Sequence, residues 1–317
     1  MRIQKLLMAT AVATALGTAS VAQAGIINFD RNGLIGGVAS NAQFTSFDWN
    51  FGNILFDNLF PVASSPDASA TTVLGAAKLS ALQPNGEAPL AGTEITYVFT
   101  APSLATLVSS AGGLNVITHA FDPGQGLGSF SIFFDDFGAS GVYAAGVASS
   151  DVTGAGYSDG HAILSGHFVS GGGVLTVGST NMGGLDQGPD ADQDGGVTTV
   201  SVNGSISYNL VIDSYDKNFF LGNIDVLDPT QIDFSFTTDT SSPFKNANPS
   251  DAVNGVTPNF GNGINDAICG TTTGNRVCDL QVESDARLPL TAIPEPTSLA
   301  LVGAGLLGFA ARRRKQA

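Results

Sequence analysis

Two stretches of the sequence decide the fold: residues 94–99, EITYVF, and residues 129–134, SFSIFF. Both alternate polar with apolar side chains and are rich in β-branched and aromatic residues, the pattern of a half-buried strand. Outward from them, similar short runs recur between Gly, Asn, Asp, Pro and Ser turn signals. These runs are residues 114–118, 141–148, 162–169, 174–177, 197–202, 205–212 and 232–237. The sequence therefore predicts an all-β fold, a single antiparallel β-sandwich or jelly-roll-like domain.

Four local patterns add detail to this prediction. The alanine-rich residues 75–82 are predicted to form a short helix. Residues 203–204, Asn-Gly, lie between two apolar runs and predict a two-residue hairpin turn. The glycine run at residues 171–173 predicts another turn. Trp49 is expected in the β-core rather than displayed for stacking on sugars.

The composition limits the classes of function. The chain has 317 residues, of which 43% are hydrophobic, and a net charge of −15 from 12 basic and 27 acidic residues. Such an acidic chain disfavours nucleic-acid binding, because phosphates require a basic surface. Three histidines and two cysteines leave little material for metal or nucleophile chemistry. We therefore expect a protein that is not an enzyme, has no nucleic-acid partner and requires no cofactor.

The N-terminal residues 1–24 have the features of a signal peptide. Arg2 and Lys5 precede an alanine-rich apolar run, and residues 22–24, Ala-Gln-Ala, have the small-x-small pattern of a cleavage site. The apolar run is shorter than the about 20 residues of a membrane span. We expect signal peptidase to leave a mature chain from Gly25, and a retained N-terminal anchor is the alternative.

The C-terminal residues 291–317 contain a second ordered set of signals. Pro-Glu-Pro comes first, an apolar run follows, and a basic cluster ends the set. The apolar run predicts one short transmembrane helix over about residues 297–311, and the positive-inside rule keeps the basic cluster cytoplasmic. The residues that define the set are Pro294, Glu295 and Pro296, then Arg312, Arg313 and Arg314 in the basic tail 312–315.

This ordered set resembles the PEP-CTERM sorting signal. The resemblance implies recognition by an exosortase, a membrane-embedded transpeptidase-like enzyme, and cleavage near the Pro-Glu-Pro. It also implies export across the inner membrane, a transient membrane anchor, and delivery to the cell surface or extracellular matrix of an exopolysaccharide-producing Gram-negative bacterium. A simple C-terminal anchor is the alternative.

The later part of the chain is also similar to flocculation-associated PEP-CTERM proteins. The similarity rests on Tyr-Asp-x-x-Phe at residues 215–219, Pro-Phe-x-x-x-x-Pro-Ser at residues 243–250, and Asp-Ala at residues 285–286. It implies a role in cell aggregation within exopolysaccharide, without catalysis. We expect a structural or adhesive protein of biofilm or floc formation. The alternatives are a secreted carbohydrate-binding protein and a polysaccharide-active enzyme on a β-sandwich.

Residues 25–290, between the two terminal signals, are predicted to form one extracellular domain. This region has six basic against 26 acidic residues, a net charge of −20. Calcium could bridge such a surface to anionic polysaccharide or to neighbouring surface proteins. The sequence DADQDG from Asp190 matches the start of an EF-hand loop, although Ser201 stands where that loop has its bidentate Glu. Asp190, Asp192 and Asp194 therefore predict either a calcium site or a solvated acidic loop.

The two cysteines, Cys269 and Cys278, are predicted to form a disulfide in an oxidising compartment. Closing so short a loop would stabilise the fold by about 2–3 kcal/mol. A redox pair and a zinc site are the alternatives, but the C-x-x-C spacing is absent and no histidine is close in sequence.

Two other titratable pairs have metal or catalytic interpretations. His161 and His167 are an even number of residues apart on one predicted strand and would need a third ligand to hold a metal. The adjacent acids Asp135 and Asp136 should point to opposite faces of a strand, so we expect a strand-end turn rather than an acid–base pair.

Overall fold

The computed structural model describes residues 26–33, 40–50, 52–57, 68–111, 114–137, 142–143, 146–149, 155–178, 201–222, 224, 229–237 and 280–290. Within these residues the regular structure is β-strand, apart from one 3-10 turn at Pro123–Gln125. The all-β prediction is therefore confirmed. The strands are β1 (Ile27–Asp30), β2 (Asn41–Phe44), β3 (Ser46–Trp49), β4 (Gly52–Asp57), β5 (Ala68–Gln83), β6 (Thr93–Ala111), β7 (Leu114–Phe121), β8 (Ser129–Asp136), β9 (His161–Gly178), β10 (Ser201–Tyr215), β11 (Thr230–Thr237) and β12 (Leu280–Pro289).

The strands from β3 to β12 close into an antiparallel barrel with eight strand positions. Pairing runs from β5 through β4, β12, β11, β10, β9, β7 and β6, and the β5–β6 pair closes the ring. Two positions hold two successive strands: β3 and β4 both lie between β5 and β12, and β7 and β8 both lie between β6 and β9. Strands that are adjacent in the ring are also adjacent in the sequence, which is an up-and-down topology. The predicted sandwich is therefore corrected to a barrel, because the ring of hydrogen bonds joins what would have been two separate sheets.

The two stretches that decide the fold lie side by side in this barrel. Residues 94–99 belong to β6, residues 129–134 belong to β8, and Phe99 pairs with Phe130. Ile95, Tyr97 and Phe99 on β6, with Phe130, Ile132 and Phe134 on β8, are at most 1% exposed. These alternate side chains all belong to the barrel core. The alternation read from the sequence therefore selects the inward face correctly.

The alanine-rich residues 75–82 form part of β5, so the predicted helix is wrong. Ala77 pairs with Tyr97 and belongs to the barrel core, whereas Ala76 packs on the outer side against Tyr157. Each alanine is about 1% exposed. Both faces of β5 are covered here, so small side chains can be buried on either side. Pairing of β5 with two neighbouring strands overrides the helix propensity of alanine.

The glycines predicted to form turns lie inside paired strands instead. Residues 171–173 are in β9 and residues 203–204 are in β10, and the two strands pair there. A Cβ on Gly173 would collide with the carbonyl oxygen of Ser205. Glycine at this place therefore marks a close approach of two backbones, a role that glycine also has in strand interiors.

An aromatic cluster, called the plug, closes one end of the barrel. Its members are at most 1% exposed: Phe29, Phe44, Phe47, Phe219 and Phe220. Phe29 lies centrally, with ring centroids 5.6 Å from Phe44, 6.0 Å from Phe47 and 5.1 Å from Phe220. The two-stranded β1–β2 sheet holds Phe29 there, because the Asp30 N–H donates to the Phe219 carbonyl at 2.7 Å.

The aromatic packing continues from the plug into the barrel. Trp49 stacks on Phe47 at 5.3 Å and meets Tyr97 edge-on at 4.7 Å. Trp49 is 2% exposed, which confirms its predicted place in the core. Further along the interior, the hydroxyls of Ser103 and Tyr208 lie 2.9 Å apart and hydrogen-bond.

Buried His119 lies on β7 nearer the opposite end of the barrel, and it lacks a polar partner. It is 3% exposed, its ring centroid is 5.0 Å from that of Phe56, and neither ring nitrogen has a hydrogen-bond partner in the described part of the chain. Burial lowers the pKa of His119 from 6.5 to about 4. The folded protein therefore holds this imidazole neutral.

Replacing Phe220 in the plug should destabilise the barrel strongly. We expect Phe220→Ala to lower the free energy of unfolding by about 3–5 kcal/mol, since it leaves a cavity among Phe29 and Phe47. Chemical denaturation measures this change. The matched control is Phe137→Ala, where the side chain is 37% exposed. Equal losses in the two variants would contradict a plug that stabilises the fold.

His119 should make the fold sensitive to acid. Because its folded pKa lies below the unfolded value, its contribution is fully present above pH 6.5 and is lost as the pH falls towards 4. The loss amounts to about 3 kcal/mol. Denaturation curves of wild type and His119→Leu at pH 4 and pH 7 test this. The variant should lose less stability on acidification, and an identical loss would show that His119 does not titrate as expected.

Candidate functional site

The structure describes none of the residues that the sequence singled out at the C-terminus or in the long connections. Residues 294–296 and 312–314, the cysteines Cys269 and Cys278, and the acidic loop 190–194 all lie outside the described residues. The signal peptide, the disulfide, the calcium loop and the C-terminal helix therefore stay predictions. Among the described residues, no helix has the length and hydropathy that crossing a membrane requires.

The two strand histidines do not converge on a metal site. His161 Nε2 lies 2.7 Å from Asp216 Oδ2, and His167 Nδ1 lies 2.9 Å from Asp213 Oδ1. Each imidazole therefore has its own aspartate partner. In the part of the chain that the structure describes, no three His, Cys, Asp or Glu side chains are grouped as a metal site.

The stretch that resembles flocculation-associated proteins, residues 215–219, leads directly into the plug. Asp216 orders the turn: its carboxylate accepts from the Asn218 N–H at 2.8 Å, and its carbonyl accepts from the N–H groups of Phe219 and Phe220. The same carboxylate pairs with His161. This stretch therefore has a structural task, which is to present two phenylalanines to the barrel end.

A segment between β8 and β9 lies over the outside of the sheet. It consists of residues 146–149 and 155–160, called the cover segment, and the described part of the predicted strand 141–148 is not β-strand. Tyr157 in this segment is fully buried and accepts a hydrogen bond at its carbonyl from the Thr96 hydroxyl, at 2.8 Å. The outer face of β5, β6 and β8 is therefore shielded from solvent here.

Polar contacts fasten the cover segment to the barrel. Glu94 on β6 accepts from the N–H of Ser149 at 2.9 Å and from its hydroxyl at 2.8 Å. The Lys78 ammonium donates to the Ser149 carbonyl at 3.4 Å. Within the segment, the Val147 N–H donates to Asp159 Oδ2 at 2.9 Å. The carboxylates of Glu94 and Asp159 are therefore held in place.

Asp135 lies beneath the cover segment, and its carboxylate has no hydrogen-bond partner among the residues that the structure describes. The residue is fully buried. A Cβ on Gly160 would come within 2.5 Å of Asp135 Oδ1, and a Cβ on Gly146 would collide with the same oxygen. That Gly146 position also lies 2.7 Å from Asp159 Oδ1. Asp135 and Asp159 therefore face the same glycine.

The surroundings of Asp135 favour its neutral form. Burial is the largest influence and raises its pKa from 3.8 to about 7, with further increases from the charges of Asp159 and Glu94. The main-chain N–H of Gly146 acts in the opposite direction and lowers the pKa by a smaller amount. Glu94 is also the direct cross-strand partner of Asp135, and like charges in that position repel. At neutral pH this carboxyl therefore requires a proton or a compensating cation.

Sequence reasoning treated Asp135 only as half of an Asp-Asp pair at a strand end. The opposite directions predicted for Asp135 and Asp136 agree with the alternation of β8, whose inward residues include Phe134. The burial of Asp135 could not be predicted, because it depends on the cover segment and on pairing with Glu94, which lies 41 residues earlier in the chain. No local pattern in the sequence predicts the contact of Asp135 with the cover segment or its pairing with Glu94.

The comparisons with known proteins address the C-terminal end of the chain. The family model described as the PEP-CTERM protein-sorting motif matches residues 292–315. In the comparisons with curated proteins and with solved structures, nothing matches this chain. The matched residues contain the Pro-Glu-Pro, the apolar run and the arginine cluster, in this order along the chain. The prediction is therefore confirmed: this chain is a protein with a C-terminal PEP-CTERM sorting motif.

Proposed function

We propose that this protein is a non-catalytic scaffold of the cell surface or extracellular matrix, with a structural or adhesive role in biofilm or floc formation. The observation that carries the proposal is the PEP-CTERM motif at residues 292–315. The motif implies processing by an exosortase and indicates export, a transient C-terminal membrane anchor and then the cell surface. The other part of the proposal, the role in biofilm or floc formation, rests on the likeness of residues 215–219 to flocculation-associated proteins.

The position of the motif relative to the barrel supports the proposal. The last strand, β12, ends at Pro289, and the motif begins at residue 292. Pro289 pairs with Ser46 at the plugged end of the barrel. The last described strand therefore ends at the plug, and we infer that the plugged end faces the membrane while the tail is anchored. The opposite end, from which the connections after β9 and β11 start, faces the surroundings.

The packing of the barrel favours a scaffold over an enzyme or a carbohydrate-stacking surface. Its interior is filled with aromatic side chains, among them Trp49, Tyr97 and Phe168. The exposed large apolar side chains of the described residues are aliphatic except for Phe137. We rank the polysaccharide-active enzyme second. It would need two carboxylates that reach a substrate, and the closely placed pair here includes the fully buried Asp135.

The sorting part of the proposal predicts a change in processing when the motif is altered. In the native host, replacing Pro294, Glu295 and Pro296 by alanine should leave a full-length chain in the membrane fraction. The wild type should reach the surface as a shorter chain without its tail. Mass spectrometry of membrane and surface fractions measures this. Lys217→Ala, an exposed change on the barrel, is the control and should behave as wild type.

The matrix part of the proposal has a separate readout in the same strains. A strain without the protein should form fewer cell aggregates, and the wild-type chain should restore them while the alanine variant of the motif should not. Normal aggregation without the protein would overturn the matrix role and leave the sorting conclusion intact. Surface delivery of a shortened alanine variant would overturn the dependence on the motif.

A further inference from the structure

A carboxyl group without a compensating charge among the described residues lies beneath the cover segment. Asp135 is fully buried, both of its carboxylate oxygens are inaccessible to water, and neither has a donor among the described residues. An ionised carboxylate in such a place is strongly unfavourable unless an opposite charge accompanies it. Lys78, the basic side chain fastened to the cover segment, bonds to the Ser149 carbonyl and is not among the charges that act on Asp135. Among the described residues no basic side chain compensates Asp135, so a proton or a bound cation is required there.

Oxygen atoms of three chain segments surround this position. Asp135 Oδ1 comes from β8 and Asp159 Oδ1 from the cover segment, and both face Gly146. The carbonyl oxygen of Phe134 and Asp135 Oδ1 both lie 2.5 Å from the Cβ position of Gly160. Glu94 adds a third negative charge from β6. Carboxylate and main-chain oxygens in a flexible arrangement are the ligands that Ca²⁺ takes, and this ion does not require three acidic side chains.

We propose that Asp135 and Asp159, with the main-chain carbonyl oxygen of Phe134 on β8, bind one Ca²⁺ ion that fastens the cover segment to the barrel. This site differs from the acidic loop at Asp190, Asp192 and Asp194. It also does not depend on the sorting motif, so it can fail without affecting the proposed function. The ion supplies the positive charge that Asp135 lacks and bridges β8 to the segment above it.

Calcium titration of the full chain tests this site. After removal of divalent cations by a chelator, we expect millimolar CaCl₂ at pH 8 to raise the melting temperature by several degrees. Isothermal titration should give one site with a dissociation constant of about 0.1–1 mM, the range of extracellular calcium modules. Asp135→Asn keeps the shape of the side chain but removes its charge, and it should abolish both effects.

Two control variants separate this site from other acidic groups. Asp233→Asn changes an exposed acid on β11 and should keep the full calcium response. The triple change of Asp190, Asp192 and Asp194 to Asn should also keep the response of this site. A wild type without any calcium response, or an Asp135→Asn variant that responds as wild type does, would overturn the proposal. A response lost only in the triple variant would assign calcium to the acidic loop and overturn the site at Asp135.

The chelated protein makes a further prediction about pH. Only the ionised carboxylate of Asp135 can bind calcium, so protons compete with the cation for this ligand. We therefore expect added calcium to raise the melting temperature more at pH 8 than at pH 5.5, where a proton competes for the carboxylate. Asp135→Asn should remove the difference. An equal calcium effect at both pH values would contradict binding through Asp135.

Discussion

Ring closure through β12 is the constraint on which the rest of the structure depends. This last strand pairs with β3 through Leu288 and Phe47, and with β4 through Val282 and Ile54. Without these pairs, β12 and the β3–β4 position would each be a sheet edge, and edges invite pairing with other chains. Once the ring is closed, the strands seal the sides, and each end of the barrel needs its own cover. The plug around Phe29 provides one of these covers.

The same closure explains how much of the fold could be predicted from the sequence. The alternation of polar and apolar residues identified β6 and β8 and the inward faces of both strands. This alternation is the same in a barrel and in a sandwich, because both folds bury one face of each strand. It could not choose between these folds, because that choice depends on whether β5 pairs with β6 and β12 with β4. The glycines at residues 171–173 imitate a turn locally. In the barrel they allow the backbones of β10 and β7 to approach β9 closely, which only the partner strands reveal.

The sorting motif and the proposed calcium site also differ in how far the sequence could predict them. The sorting motif is a linear signal, because its Pro-Glu-Pro, apolar run and arginine cluster lie within one continuous stretch, and the sequence alone was sufficient to predict it. The position beneath the cover segment is assembled from β6, β8 and a returning segment. Glu94, Asp135 and Asp159 have no shared spacing that would mark them as neighbours. Chemistry that depends on burial, such as the raised pKa of Asp135, therefore becomes visible only with the fold.

The order of strands around the barrel has a kinetic consequence for a chain exported from its N-terminus. The ring closes through its final strand, so β3 and β4 remain unpaired on one side until residues 280–289 have emerged. Only two residues separate the end of β12 from the start of the motif match. Closure of the barrel therefore has to wait for the strand that directly precedes the sorting motif, and this strand is among the last parts of the chain to emerge.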